Sequence, residues 1–309
     1  MYFPYLRGRQ YELLALKELV EKNLIGREVI PIIEPIKLSS TFIKTIRLFK
    51  DQGRTIVVIH NPIVGDFLKE LESKENEKLK EQYIQILKDT DIIKAHLINK
   101  ESEKQLELLD NMGIGKDELI TINNRDLFNI YESEFSGYKT KYNLIPNEDN
   151  FKYKIKRNKV ILQDRFNKLK RNTDYSQNDD EAFSVEHLYY KENGYVGFSD
   201  YSIIGKDFVE SGYAARAVAI HIVYFNSENE LRVKHFVSES NDDIKDPAKK
   251  YSEALAKLVQ WEEEQKTNTY AIEEFIRQYK NGEYKGLGVP KKLAIMHHLE
   301  LINRYMESK

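Results

Sequence analysis

Thr55-Ile56-Val57-Val58-Ile59-His60-Asn61-Pro62 is the stretch on which the fold turns. Its first five residues are all β-branched, apolar on both faces and too few for a helix, so they read as a strand covered on both sides. The run stops at a polar pair and a proline, and a long charged helical segment follows to about residue 88. A strand buried on both faces and followed by a helix is the unit of a parallel α/β sheet.

The same order recurs on either side. Val29-Ile30-Pro31-Ile32-Ile33 runs into Glu34-Pro35, after which Ser39 and Ser40 offer caps for a helix reaching Phe49. Further strands are expected at 92–98, at 119–122 before Asn123-Asn124, at 142–145, at 160–162 before Gln163-Asp164-Arg165, at 195–198 before Ser199-Asp200, and at 217–225, which carries His221. Eight strands alternating with helices predict a (β/α)8, TIM-barrel-like fold. Its last strands are expected to be irregular, because Asn226-Ser227-Glu228-Asn229 reads as a hairpin turn into an antiparallel partner at 231–237. An amphipathic helix at 9–22 precedes the first strand. The expected division is a barrel domain over 1–245 and a helical extension over 246–309, packed on the barrel, with helices at 247–264, 269–280 and 289–307.

Composition limits the chemistry. The 309 residues are 41% hydrophobic, enough for a sizeable core, and 48 Lys and Arg nearly cancel 50 Asp and Glu. With a net charge of -2 any electrostatic partner site must be local. The absence of cysteine excludes disulfides, zinc–thiolate sites, iron–sulfur clusters and thiol nucleophiles. No run approaches the roughly 18 apolar residues of a spanning helix, and the opening residues lack a leader pattern. These features predict a soluble, cytoplasmic protein with no membrane partner.

In barrels of this class the site gathers at the carboxyl ends of the strands. The residues there are Glu34, His60 with Asn61, His96 or Asn99, Asn123 with Asn124, Asp164 with Arg165, and Asp200, with His221 inside the eighth expected strand. Glu34, Asp164, Asp200, His60 and His221 are the catalytic candidates. The three carboxylates are also candidate ligands for Mg²⁺ or Mn²⁺, and acid–base work by a carboxylate pair is the alternative. Whether each side chain faces the interior depends on register, since a one-residue shift turns it outward.

Ligand-binding candidates are Arg165 and Arg171 as anion clamps, Lys37 as a Schiff-base or anion-binding lysine, and Gly197 and Gly205. These glycines flank Phe198-Ser199-Asp200-Tyr201 in the region where such barrels often hold phosphate. Residues 151–171 carry nine basic residues against Asp164, with Phe151, Tyr153 and Phe166 interleaved, a pattern suited to nucleic acid or a phosphorylated ligand. The acidic Asp179-Asp180-Glu181 offers a counter-charge to the same segment. Residues 69–82 read as a solvated helix pair. Tyr251, Leu255, Leu258 and Trp261 form a stripe that serves either packing or a homo-oligomer. No nucleophile elbow, zincin, EF-hand, Walker or dinucleotide fingerprint is present.

Three blocks carry a resemblance. They are Tyr5-Leu6-Arg7-Gly8-Arg9-Gln10 with Glu12-Leu13-Leu14-Ala15-Leu16, then 29–35, then Asp164-Arg165-Phe166 through Arg171-Asn172-Thr173-Asp174-Tyr175 to Gly197-Phe198-Ser199-Asp200-Tyr201. Together they resemble an uncharacterised bacterial family known by a locus-tag name and related to the phage "beta protein" family. The resemblance spans most of 1–237 and implies a gene class of mobile elements and phage-related regions, hence a role in phage–host conflict. It assigns no catalytic residue. Two functions follow as expectations. One is a metal-dependent enzyme acting on a phosphorylated or nucleotide-like ligand, such as a phosphoester hydrolase; the other is a non-catalytic protein that binds a phage component or nucleic acid.

Overall fold

A computed structural model describes residues 1–210 and 216–309. The chain packs as two units: 1–13, 26–164 and 186–201 form the first, and 14–25, 165–185 and 202–309 the second.

The first unit is an eight-stranded parallel sheet that closes almost completely into a barrel. Its strands are β1 (Tyr5–Leu6), β2 (Ile32–Ile33), β3 (Val57–Ile59), β4 (Ile93–Leu97), β5 (Leu119–Ile122), β6 (Tyr142–Ile145), β7 (Lys159–Gln163) and, after the strand β8 of the other unit (Asp180–Ser184), β9 (Gly197–Asp200). Closure is made by the first residues of the chain. Tyr2 bridges Val29 on one side and Phe198 on the other, and the Phe3 N–H donates to the Phe198 carbonyl at 2.8 Å. The helices α1 (Gln10–Glu21), of which residues from Leu14 onward belong to the second unit, α2 (Ser40–Asp51), α3 (Phe67–Glu72), α4 (Glu77–Lys88), α5 (Ser102–Asp110), α6 (Phe128–Phe135), α7 (Asp149–Lys154) and α8 (Glu186–Tyr189) alternate with the strands in sequence.

Side-chain alternation sorts the apolar residues. Phe3, Tyr5, Ile30, Ile32, Val57, Ile59, Ala95, Leu97, Ile120, Ile122, Leu144, Val160 and Leu162 form one buried cluster inside the barrel. The helical layer has its own contacts: Phe42 on α2 meets Phe67 on α3 at 5.7 Å, and Phe67 meets Tyr83 on α4 at 4.9 Å. Ser39 caps α2 as expected, its hydroxyl accepting from the Phe42 N–H. The charged run at 69–82 belongs to α3, α4 and the short turn between them.

Two strand assignments differ from the sequence reading. The segment 217–225 is not the eighth barrel strand: β10 (Ala219–Phe225) pairs antiparallel with β11 (Leu231–Val237), and β11 pairs with β8, in a separate three-stranded sheet. The physical reason is the tight turn at 226–229, which joins hairpin partners, whereas a parallel neighbour needs a crossover. The missing barrel strand is β1, obscured in sequence by Pro4 and by its aromatic residues. Pro4 keeps its carbonyl in the ladder, accepting from Ile32 N–H.

In the second unit three helices, α9 (Pro247–Gln265), α10 (Tyr270–Asn281) and α11 (Gly288–Glu307), accompany the small sheet. Trp261 of α9 packs edge-on against Tyr224 of β10 and Phe236 of β11, and Tyr251, Leu255 and Leu258 are buried. The stripe on α9 is therefore spent on this unit's own core. Among the described residues no helix is long and apolar enough to cross a membrane.

Candidate functional site

Strand alternation also decides which strand-end residues enter the barrel. Phe3 and Tyr5 face the interior, so Arg7 follows them inward at the end of β1; Ile30 and Ile32 do the same for Glu34 at the end of β2. The two meet. Arg7 Nη1 is paired with Glu34 Oε2, the Tyr5 hydroxyl donates to the same oxygen at 2.7 Å, and the Ile63 N–H donates to Oε1 at 3.0 Å. Glu34 is wholly buried, while the Arg7 side chain keeps 11% exposure. Gly8 makes the close turn possible: its φ is +62°, and a Cβ there would stand 3.0 Å from Ile33 Cγ2 and 3.2 Å from the Glu34 carbonyl. The Arg7 N–H is fixed in turn by buried Glu12 at 2.7 Å.

The guanidinium lies against a pair of packed tyrosines. Its carbon is 5.1 Å from the centre of the Tyr5 ring and 5.6 Å from that of Tyr201, and the two rings are 4.8 Å apart. Tyr201 directly follows β9 and packs on the interior cluster. Tyr201 is half-buried, and its hydroxyl has no hydrogen-bond partner among the described residues. Burial pushes its phenol up to about 12, Arg7 opposing and Asp164 adding to the shift, so at neutral pH it is a donor. Burial holds Tyr5 higher still. Asp164, on the inward side one residue beyond β7, is exposed. The carboxyl mouth thus combines a braced cation, a protonated phenol and an exposed carboxylate.

Other expected site residues lie elsewhere. Asp200 faces outward and accepts from the Tyr2 hydroxyl at 2.8 Å, which removes it from the interior by one step of register. His60 likewise faces the helices: its Nε2 is 2.8 Å from His96 Nδ1, and His96 Nε2 is 2.8 Å from Ser102 Oγ on α5. Burial pushes His60 down to about 3 and, with His60 beside it, His96 down to about 2, so both are neutral. Asn61 and Asn123 fasten neighbouring strands: Asn61 exchanges two hydrogen bonds with the Leu97 backbone, and Asn123 donates to the Leu144 carbonyl. Lys37 is exposed. Gly197 is required by packing, since a Cβ would come within 2.7 Å of the Met1 carbonyl and 2.8 Å of the Phe3 ring.

The proposed divalent-metal set does not fit this arrangement. Glu34 is engaged by Arg7 and Tyr5, and Asp200 points to the outer layer. Among the described residues no three His, Asp or Glu side chains are grouped as ligands for one ion.

Within the second unit, His221 of β10 stands opposite His235 of β11, their Nδ1 atoms 2.8 Å apart, and His235 Nε2 is 3.2 Å from Glu181 Oε1. An ionised Glu181 only accepts, so His235 carries hydrogen on Nε2, accepts at Nδ1 and leaves the His221 lone pair on Nε2. Phe166 and Tyr175 box the pair, at 5.0 and 4.6 Å from the His221 ring. Burial, then His235, lowers His221 to about 3. Arg171 is exposed, Arg165 half-buried, and Gly205 has φ +69°, where a Cβ would stand 3.7 Å from the side chains of Phe166 and Lys168. The basic stretch 151–171 is divided between the units after Asp164. The acidic 179–181 stretch balances β11 instead: Asp180 pairs with Arg232 at 2.7 Å and Asp179 with Lys234 at 3.0 Å.

Sequence reasoning found Glu34 and Asp164 at the mouth and missed Arg7, Tyr5 and Tyr201. A usable signal was present in Tyr5-Leu6-Arg7-Gly8, where a basic residue ends an apolar run just before a glycine. In comparisons of this chain with family models, curated proteins and solved structures, none matches.

Proposed function

We propose that the barrel mouth binds a phosphorylated small molecule that also carries hydroxyl groups, such as a sugar phosphate. Arg7 contacts the phosphate, Tyr201 donates its phenolic hydrogen, and Asp164 accepts from the ligand's hydroxyls. The observation that carries this reading is the half-buried Tyr201, its hydroxyl without a hydrogen-bond partner among the described residues, beside a guanidinium already oriented by Glu34 and two aromatic rings. An arginine held in plane gives a phosphate directional donors, and its orientation is fixed before the ligand arrives. The position supports it as well, since ligands of parallel barrels sit at the carboxyl ends of the strands.

Calorimetric titration with ribose phosphate tests the reading. Arg7→Lys is expected to weaken binding by about tenfold, and Tyr201→Phe by roughly threefold, from the loss of one charged and one neutral hydrogen bond. Equal affinity in wild type and both variants refutes it. The setting we propose for this binding, phage–host conflict, rests on the family resemblance of the 5–16, 29–35 and 164–201 blocks. Phage plating on strains with and without the gene tests that setting, and equal plating across a phage panel speaks against it.

A further inference from the structure

The other end of the barrel holds a groove of about 630 Å³ at the amino ends of β6 and β7. That volume lies within the roughly 300–1,000 Å³ of small-molecule sites. One wall is the aromatic edge of α6. Phe128, Tyr131 and Phe135 form a stack, with centroids 6.1 and 5.9 Å apart and the second pair inclined by only 14°, and Tyr138, 52% exposed, lines the same groove with Lys116 Nζ 5.2 Å from its ring centre. The facing wall is the turn from α7 into β7, which carries Lys156 and Arg157.

Charge in this groove is unbalanced, although the chain as a whole is nearly neutral. Lys154 is paired with Glu132 at 2.8 Å, the one acid lining the groove among the described residues. Lys139, Lys156 and Arg157 are exposed and, among the described residues, take part in no ion pair. The turn that presents them is ordered by the barrel itself. Asn143 donates to the Arg157 carbonyl at 3.2 Å, Asn158 holds φ +51° and donates to the Thr140 carbonyl at 3.1 Å, and the Tyr131 hydroxyl reaches Asn143 at 3.3 Å.

We infer that this groove is a second binding site, and that its ligand is a nucleotide unit: a planar base against Tyr138 and the α6 aromatics, with its phosphate on Lys156 and Arg157. Unpaired cations beside flat apolar rings match the two halves of a nucleotide, and an order that exists before binding lowers the cost of holding it. A sugar phosphate without a base has no use for the aromatic wall, which separates this site chemically from the mouth. The same unit occurs free and in single strands.

The test uses the full chain, with AMP and a fluorescein-labelled hexathymidylate as probes and ribose phosphate as the base-free control. Binding is expected for at least one nucleotide probe, weakened about tenfold by Lys156→Glu/Arg157→Glu and by Tyr138→Ala, and falling as salt is raised. Hexathymidylate binding at least tenfold tighter than AMP assigns the site to single strands; equal or weaker binding assigns it to free nucleotides. Absence of binding by both probes overturns the inference, as does binding that ignores both variants. Arg7→Lys leaves the part of nucleotide binding that is sensitive to Lys156→Glu/Arg157→Glu unchanged, so a failure of the mouth reading and a failure of this one give different results.

Discussion

At the carboxyl ends of the strands Arg7 is buried against Glu34 and two tyrosines, whereas at the amino ends of β6 and β7 Lys156 and Arg157 are exposed and, among the described residues, take part in no ion pair. Both ends offer cations, but by different physical routes. A buried guanidinium must be neutralised and hydrogen-bonded, which fixes its direction and makes it part of the fold. An exposed lysine or arginine costs the fold little and remains available to attract an anion from solution, at a strength set by salt. The mouth is therefore a place of orientation and the groove one of attraction.

Breaking the mouth should have the largest effect. Glu34→Ala leaves Arg7 buried without its counter-charge and is expected to cost about 3–5 kcal/mol in urea unfolding; a loss below about 1 kcal/mol would mean that the pair is effectively solvated. Next comes acid. His96, fully buried, is held near 2 in the folded state against 6.5 unfolded. The unfolded chain therefore binds the proton first, and stability present above pH 6.5 is lost as pH falls toward 2. The slope is about 1.4 kcal/mol per pH unit for one such group, and His96→Asn should flatten the stability profile below roughly pH 6.5. A profile of unchanged slope would count against a neutral, buried His96.

Gly197→Ala forces a methyl against the Met1 carbonyl and the Phe3 ring, where the barrel closes, and should cost about 1–3 kcal/mol by thermal melting. A neutral result would show that the closing strand yields easily. The smallest change in stability, within about 0.5 kcal/mol, is expected for Lys156→Glu/Arg157→Glu, because both side chains are exposed and unpaired. An appreciable loss would place those cations in the fold and remove the contrast between the two ends.

The sequence discloses strands where they are β-branched and apolar on both faces, as at Val57–Ile59 and Leu119–Ile122, and the parallel barrel follows from their alternation with helices. It hides β1 and the residues just before it, of which Tyr2 and Phe3 pair with a partner as distant as Phe198. It also presents 219–225 as an equal to the barrel strands, although the hairpin turn after it decides otherwise. At the site, Glu34 is legible as a polar strand end, but its partner Arg7 lies 27 residues upstream and meets it only because β1 and β2 are adjacent and in register. His60 and Asp200 show the opposite failure: each ends a strand, and each is turned to the outer layer by one residue of alternation. The basic stretch at 151–171 was legible as charge. Only the fold separates its cations at 156 and 157, which face the aromatics of α6, from those beyond 164, which belong to the other unit.

The most direct test of the mouth as the ligand site is nuclear magnetic resonance of protein carrying ring-labelled tyrosine, titrated with ribose phosphate, with Tyr201 and Tyr138 assigned by their Phe variants. The expected result is a saturable shift at Tyr201 that is lost in Arg7→Lys, with Tyr138 unmoved. A shift at Tyr138 alone, or at no tyrosine, would contradict the assignment of the barrel mouth.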